Sequence, residues 1–211
     1  MRNIPVFSTD NGVASLTLNE IPYKQTAYIK IQDTSELTAF LKECCDFCCG
    51  LGARKVFASG KGLGSYPVHT AVCLMQRSRD GFLTTDAMLV PVQDKTLERW
   101  REIYNRRMES VPNASYMTTF GGAKMLREGS GYFVYRGEEL IGIGMASDNK
   151  VSAVISVTSG SGKDVLAALN TVLTGSFIEV EVATANIPAM NLYTRMGFEQ
   201  ISELSKWYCI L

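Results

Sequence analysis

The sequence lacks the features that mark several large classes of protein. It has no excess of charge of either sign, because its 21 lysine and arginine residues match its 21 aspartate and glutamate residues. This balance gives no electrostatic case for nucleic acid or an anionic membrane surface as a partner. No apolar run approaches the roughly 20 residues of a membrane-spanning helix, and the first residues lack the apolar core of a signal peptide. We therefore expect a globular protein of the cytoplasm.

Histidine is nearly absent, and the cysteines are not spread as they are in a disulfide framework. Four of the six cysteines are crowded into one stretch, at Cys44, Cys45, Cys48 and Cys49. Secreted disulfide-rich domains distribute their cysteines along the chain. Phe40 and Leu41 extend the same stripe at helical spacing, so we interpret it as a helix with buried free cysteines, which behave as small hydrophobes. A redox pair of Cys45 and Cys48 is one alternative, and a metal site, which we do not expect, is the other.

The most informative stretch of the chain runs from residue 177 to residue 198. Its first part, 177–183, has Ile, Val and Val at every second position, which is the period of a β-strand. Asn186 and Pro188 then open a helix, since proline in the first helical turn loses no hydrogen bond. Gly197 ends that helix as a C-terminal cap, and Phe198 begins a further strand.

This stretch resembles the C-terminal motif of the GNAT superfamily of acyl-CoA-dependent N-acetyltransferases. Every position of the family pattern is filled, by Asn186, Ala189, Leu192, Tyr193, Gly197 and Phe198. The resemblance implies that the helix lies beside the pantetheine arm of acetyl-CoA, with Asn186 and Tyr193 among the cofactor-binding residues. It also implies that the Tyr193 hydroxyl protonates the departing CoA thiolate. The alternative is a helix packed on a sheet by ordinary apolar contacts, with Tyr193 at the edge of the core.

The order of predicted elements extends the resemblance over residues 85–211. Strand, two helices, three antiparallel strands, helix, strand, helix and strand is the order of a GNAT domain. Thr96 is the predicted N-cap of the first helix, and Gly121 and Gly122 are predicted to interrupt the second. Residues 1–84 contain a strand–helix–strand run but no comparable C-terminal motif. We predict an α/β fold with a mixed sheet, in which an incomplete GNAT-like half, 1–84, precedes a complete GNAT domain, 85–211.

The resemblance also assigns the segment that would hold the cofactor. In the family, one strand parts from its neighbour and pairs with pantetheine, and the loop after it binds the pyrophosphate at a helix N-terminus. The strand here is Ile155, Ser156 and Val157, and the loop residues are Gly160, Ser161, Gly162 and Lys163. This loop departs from the family pattern, because it is shorter and Val157 occupies the position of an arginine or glutamine. Lys163 could supply the missing charge, and the alternative is a plain turn that joins strand to helix.

The chemistry implied by the resemblance is direct attack of an amine on the acetyl thioester. Such a reaction needs positioning, an oxyanion donor and a general acid, for which Tyr193 is the candidate. The predicted strand before the loop carries no carboxylate that could act as a general base. Glu179 and Glu181 share a strand face and are either at the edge of the site or on a solvated surface.

Four aromatic residues on the two early helices are candidates for an acceptor pocket or for the core: Trp100, Tyr104, Tyr116 and Phe120. The predicted function is transfer of an acetyl group from acetyl-CoA to an amine of a small molecule or peptide. The alternative is a catalytically silent GNAT-like module that binds an acyl-CoA or serves as an assembly surface.

Overall fold

A computed structural model describes residues 5–211, in which strands and helices alternate. The strands are β1 (Val6–Thr9), β2 (Gly12–Thr17), β3 (Thr26–Thr34), β4 (Lys55–Ser59), β5 (Val68–Ser78), β6 (Met88–Pro91), β7 (Gly131–Arg136), β8 (Glu139–Ser147), β9 (Lys150–Ser156), β10 (Phe177–Ala183) and β11 (Glu199–Cys209). The α-helices are α1 (Ile21–Lys24), α2 (Leu37–Gly50), α3 (Asp94–Met108), α4 (Thr119–Glu128), α5 (Gly162–Asn170) and α6 (Ile187–Arg195). Within the described range, no helix combines the length and the apolar character that crossing a bilayer requires.

The described chain divides into two units. The first contains the residues up to Val72 together with Leu204–Leu211, and the second contains Cys73–Glu203. The strand order is β1-β2-β3-β4-β11 in the first unit, which contains residues 204–209 of β11, and β5-β10-β9-β8-β7-β6 in the second, which contains residues 73–78 of β5. Each unit has one parallel pair joined by a helix, β3 with β4 and β9 with β10. The sheet is therefore mixed, as the sequence predicts.

The core of the first unit lies between α2 and one face of its strands. Phe40 and Leu41 on α2 are buried in one apolar cluster with Ile29 of β3 and Val56 of β4. The helix begins after Glu36, whose side chain accepts a hydrogen bond from the backbone N–H of Ala39 at 2.8 Å. An apolar stripe and a capped first turn together account for a helix at this position.

The second unit has two apolar clusters. One is built from α5, α6, β8 and β10 and includes Leu166, Leu169, Ile178 and Tyr193. The other is built from α3, α4 and the strands β7 to β9 and includes Trp100, Met125, Phe133 and Ile155. Alternating side chains of β9 contribute to both clusters, which is the pattern of a strand buried on two faces.

Two local expectations about α3 and α4 are wrong. The N-cap of α3 is Gln93, and Thr96 lies inside the first turn, where its hydroxyl oxygen accepts the Gln93 N–H at 3.0 Å. This reciprocal arrangement is a capping box, in which the third helical residue bonds back to the cap. The glycine pair does not interrupt α4. Gly122 lies so close to α3 that a Cβ there would be 2.7 Å from Cδ of Arg101, and this close approach explains the glycine.

The cysteines of α2 are buried to different degrees, and all six cysteines of the chain are free. Cys44 and Cys48 are fully buried, whereas Cys49 is exposed. Burial, followed by the neighbouring thiols, raises the pKa of Cys44 to about 12 and those of Cys45 and Cys48 to about 11. A redox pair needs a depressed thiol pKa, so these values oppose the redox alternative. The described residues contain no cluster of histidine, cysteine and carboxylate side chains that could hold a metal ion.

Candidate functional site

The parallel strands β9 and β10 are paired only where they begin. The described register joins Lys150 to Glu179 and Val151 to Val180, and within the described residues it contains no further pair between these strands. On its other side, β9 stays paired with β8 as far as Ser156, which lies opposite Gly142. The end of β9 therefore has one edge paired with β8 and one edge, on the β10 side, that faces a gap without described strand pairing.

Strand geometry identifies which backbone groups face that gap. The N–H of Val157 donates to the carbonyl oxygen of Ile141 on β8 at 2.9 Å. Because the backbone groups of successive residues alternate in direction along a strand, those of Ile155 also face β8, and those of Val154 and Ser156 face the gap. Of the three strand residues assigned from the sequence, only Ser156 therefore has backbone groups on the open edge. Val154 was missed because the direction of strand pairing is not readable from a single sequence.

The loop after β9 leaves the N-terminus of α5 without a side-chain cap. Ser161 holds the N-cap position and is 5% exposed, yet its hydroxyl does not cap the helix. That hydroxyl lies within donating distance of the carbonyl oxygens of Ile141 (2.6 Å) and Thr158 (2.8 Å). Gly160 has a φ of 80°, and a Cβ added there would meet no atom within 4 Å. The helix thus begins without a side-chain cap, next to open space at Gly160, and backbone N–H groups at a helix N-terminus favour an anion.

Two cationic side chains flank this loop. Lys163 is exposed in the first turn of α5. Arg107, in the last turn of α3, donates from Nη2 to the carbonyl oxygen of Val157 at 2.7 Å. A guanidinium has five N–H donors, so this contact leaves other donors available. Nothing in the sequence could single out Arg107, because the contact joins residues 50 positions apart.

Helix α6 packs against the start of α5. A Cβ added at Gly162 would lie 3.2 Å from Cδ2 of Leu192 and 3.3 Å from Oγ of Ser156, so the loop, β9 and α6 meet at this glycine. Asn186 caps α6, because its Oδ1 accepts the N–H of Ala189 at 3.3 Å. This contact gives Asn186 a structural role in the helix.

Tyr193, the residue after Leu192 on α6, is 6% exposed and packs on the ring of Phe198 with centroids 5.4 Å apart. No hydrogen bond of its hydroxyl is found among the described residues. Burial raises the pKa of this phenol well above its ordinary value. Tyr193 therefore keeps its proton at neutral pH and has a donor that the protein itself does not engage.

The remaining sequence candidates are two paired carboxylates and four aromatic residues of differing exposure. Glu179 accepts a hydrogen bond from the amide of Gln76 at 3.1 Å, and Glu181 pairs with Lys150, so both carboxylates have partners. Trp100 is fully buried and stacks on Tyr104 with ring centroids 5.3 Å apart, which makes both core residues. Tyr116 is half-buried between α3 and α4, and the Phe120 side chain is 75% exposed.

Comparison with known proteins identifies relatives by structure only. No family model and no curated protein matches the sequence. A functionally unknown conserved protein from Staphylococcus epidermidis aligns over 99% of this chain and 94% of its own length, at 11% identity and a TM-score of 0.62. A tandem GNAT protein from the clavulanic acid biosynthesis pathway aligns over 93% of this chain and 78% of its own, at 13% identity and a TM-score of 0.52.

A third similar structure is a GCN5-related N-acetyltransferase from Kribbella flavida. It aligns over 96% of this chain and 58% of its own length, at 8% identity and a TM-score of 0.54. At such identities the likeness establishes the fold alone. The predicted mixed α/β fold is confirmed by these neighbours.

Proposed function

From a fold that is GNAT-like, we propose that the chain transfers an acetyl group from acetyl-CoA to an amine of a small molecule or peptide. The observation that carries the proposal is the parting of β9 and β10 beside the uncapped N-terminus of α5. An open strand edge offers alternating N–H and C=O groups to an extended amide chain, and an open helix N-terminus offers donors to phosphate. Coenzyme A carries both kinds of group, since the extended amide chain of its pantetheine arm is followed by its pyrophosphate.

In this proposal the pantetheine arm pairs with the backbone of Val154 and Ser156 along the open edge of β9. Ile155 and Val157 hold that edge in position through their bonds to β8. The pyrophosphate accepts hydrogen bonds from the backbone around Gly160, Ser161, Gly162 and Lys163. Arg107 and the Lys163 ammonium supply positive charge, which compensates for the valine at the position where the family has an arginine or glutamine.

The reaction follows from these contacts. The amine lone pair attacks the thioester carbonyl carbon, and a backbone N–H at the open edge stabilises the developing oxyanion. When the C–S bond breaks, the sulfur takes the proton of the Tyr193 hydroxyl, because a phenol is protonated at neutral pH. The surplus proton of the former amine passes to water, and Tyr193 recovers its proton from water. No general base is assigned, since many amines lose their proton directly to solvent.

The first experiment is calorimetric titration of acetyl-CoA into the purified protein, followed by thiol release with a panel of amines. We expect micromolar binding and turnover of at least one amine. Binding without turnover would favour the silent module, and absence of binding by the wild type would contradict the proposal.

Arg107→Ala tests the pyrophosphate contact, and Arg106→Ala is its matched control on the same turn. Arg106 is exposed and has no hydrogen bond or ion pair among the described contacts. We expect Arg107→Ala to weaken acetyl-CoA binding about tenfold, the effect of one charge-assisted hydrogen bond. Neither variant should change binding of S-acetylpantetheine, which has no pyrophosphate. An equal loss for both ligands would mean that Arg107 acts on the strand rather than on phosphate.

A further inference from the structure

The first turn of α5 carries a carboxylate as well as its backbone N–H groups. Asp164 is the third residue of this helix, and its side chain is 19% exposed. The helix dipole favours an acidic residue at this end, and such a residue can accept hydrogen bonds from uncapped N–H groups of its own helix. It would then compete with any phosphate that approaches the same turn. An anion site here therefore needs a second feature that removes this competition.

Arg136, the last residue of β7, holds the Asp164 carboxylate. Its Nη2 lies 3.1 Å from Oδ2 of Asp164, and its Nε lies 2.9 Å from Oδ1 of Asp86, which precedes β6. Among the described contacts, Arg136 is the partner of the Asp164 side chain. The carboxylate is therefore directed at β7 rather than at the N–H groups of its own helix, and its charge is balanced by the guanidinium.

The hairpin of β7 and β8 also holds the loop that precedes α5. Oγ1 of Thr158 donates to Oε1 of Glu139, at the start of β8, at 3.0 Å. The Ser161 hydroxyl lies 2.6 Å from the carbonyl oxygen of Ile141 on the same strand. One hairpin thus fixes both the loop and the first turn of α5, and Arg136 supplies the positive charge in this set of contacts.

We propose that Arg136 is a positioning residue for the cofactor, an inference that rests on the proposed function. It draws the Asp164 carboxylate away from the N–H groups of α5 and neutralises its charge, so that the turn is free for the pyrophosphate. Arg136 acts through Asp164 and does not have to touch the ligand. Without it, the carboxylate would repel the phosphate. Repulsion between unit charges about 6 Å apart weakens binding about tenfold at an effective dielectric constant of about 40.

The test is a double-mutant cycle between Arg136 and Asp164, in which calorimetry at low salt measures the Kd for acetyl-CoA. Arg136→Gln should weaken binding about tenfold, because it leaves the carboxylate unpaired. Asp164→Asn should keep the Kd within about twofold, since a neutral amide does not repel phosphate. The double variant should return to within about twofold of the wild-type Kd. An ion pair with only a structural role would behave differently, because breaking it from either side would weaken binding alike.

Two further variants and a second ligand are the controls. Asp86→Asn removes the other partner of Arg136 and should leave the Kd within about twofold, and Arg136→Lys keeps the charge and should retain most of the affinity. S-acetylpantetheine, which has no pyrophosphate, should bind Arg136→Gln and the wild type equally. The tenfold difference for acetyl-CoA should shrink in roughly 0.5 M NaCl. Because the ion pair is partly exposed, the Tm of Arg136→Gln should stay within about 3 °C of the wild type.

Two results overturn the inference. An unchanged Kd in Arg136→Gln means that the carboxylate does not oppose the cofactor, and a double variant that binds no better than Arg136→Gln means that Arg136 does not act through Asp164. Either result leaves the proposed function standing if the wild type binds acetyl-CoA and releases thiol. A wild type that does neither overturns the proposed function, and this inference with it.

Discussion

The chain contains two strand–helix–parallel strand arrangements, one in each unit, and they differ at the strand ends. In the first unit, β3 and β4 pair in register over five positions, from Thr26 with Lys55 to Lys30 with Ser59. In the second unit, β9 and β10 pair at two positions and then part. In the first arrangement the two strands stay paired, so the backbone groups between β3 and β4 have partners. The second exposes an edge that can bind an extended ligand.

The helices of the two arrangements differ at their N-termini, since one is capped by a side chain and the other is not. The N-terminus of α2 is filled by the protein's own carboxylate, Glu36, which accepts the Ala39 N–H. At α5 the residue in the cap position, Ser161, is turned to carbonyl oxygens instead, and the first turn stays open. Shared topology is therefore not sufficient for a site. The strands must part, and the helix must go without its usual cap.

The largest expected effect compares Tyr193 with a second tyrosine whose pKa is also raised by burial. Tyr193→Phe removes the proposed acid and should lower kcat for thiol release about 10²-fold, with little change in the Kd for acetyl-CoA. Tyr28, in the first unit, also has a pKa raised by burial, to about 12, and Tyr28→Phe is the matched control that should leave kcat unchanged. Equal rates for both variants would remove Tyr193 from the mechanism.

The next effect tests the open space beside Gly160. Gly160→Asn keeps a residue that tolerates positive φ and adds a side chain where the ligand would lie, so acetyl-CoA binding should weaken roughly 30-fold. Gly137→Asn is the control. It has a φ of 58° with no atom within 4 Å of an added Cβ, in the turn between β7 and β8. Calorimetry that finds the same affinity for both variants would contradict a ligand at this loop.

Alkaline pH should destabilise the first unit through α2. The fold raises the pKa of Cys44 and Cys48 from the ordinary value of 9 to about 12 and about 11. The unfolded chain therefore loses these protons first. The stability contributed by the protonated thiols is complete below pH 9 and falls as the pH rises from about 9 towards 11 to 12. Between pH 8 and pH 10 each buried thiol should cost about 1 kcal/mol of unfolding free energy.

Urea unfolding at these two pH values measures that loss, and Cys48→Ala should lose about 1 kcal/mol less than the wild type. A loss of the same size in both proteins would mean that Cys48 is not buried as a neutral thiol.

The smallest expected effect concerns the capped helix. Glu36→Ala removes the N-cap of α2 and should lower the free energy of unfolding by about 1 kcal/mol, whereas Glu36→Asp should retain most of it. Opening this N-terminus should not create a second cofactor site, because β3 and β4 remain paired. Calorimetry should still give one acetyl-CoA per chain. A second equivalent in Glu36→Ala would mean that the cap alone separates the two arrangements.

The sequence predicts those parts of the molecule that local patterns determine. The strand, helix and strand around α6 follow from alternation, from Pro188 in the first turn and from Gly197 after the last, and the structure has them in that order. The N-cap of α3 was predicted at Thr96 and lies at Gln93, because either residue type can take part in a capping box. Gly122 was read as an interruption because the sequence does not reveal the neighbouring helix that requires it.

The site itself depends on contacts that no local pattern encodes. The parting of β9 from β10 and the bond from Arg107 to Val157 both join segments that are distant in the sequence. The assignment of Tyr193 and of the loop to acetyl-CoA stays a prediction. So does the division of the chain into an incomplete GNAT-like half, 1–84, and a complete domain, 85–211.

The uncapped start of α5 also makes ligand binding measurable by amide hydrogen exchange. A short helix without a cap frays from that end, so its first amide protons exchange with solvent far faster than those of the buried turns behind them. An anion that accepts hydrogen bonds from these amides would slow their exchange directly. The rate of deuterium uptake at Gly162, Lys163 and Asp164 would then measure how long a ligand stays bound. This measurement works in a crude ligand mixture and needs no assay of turnover.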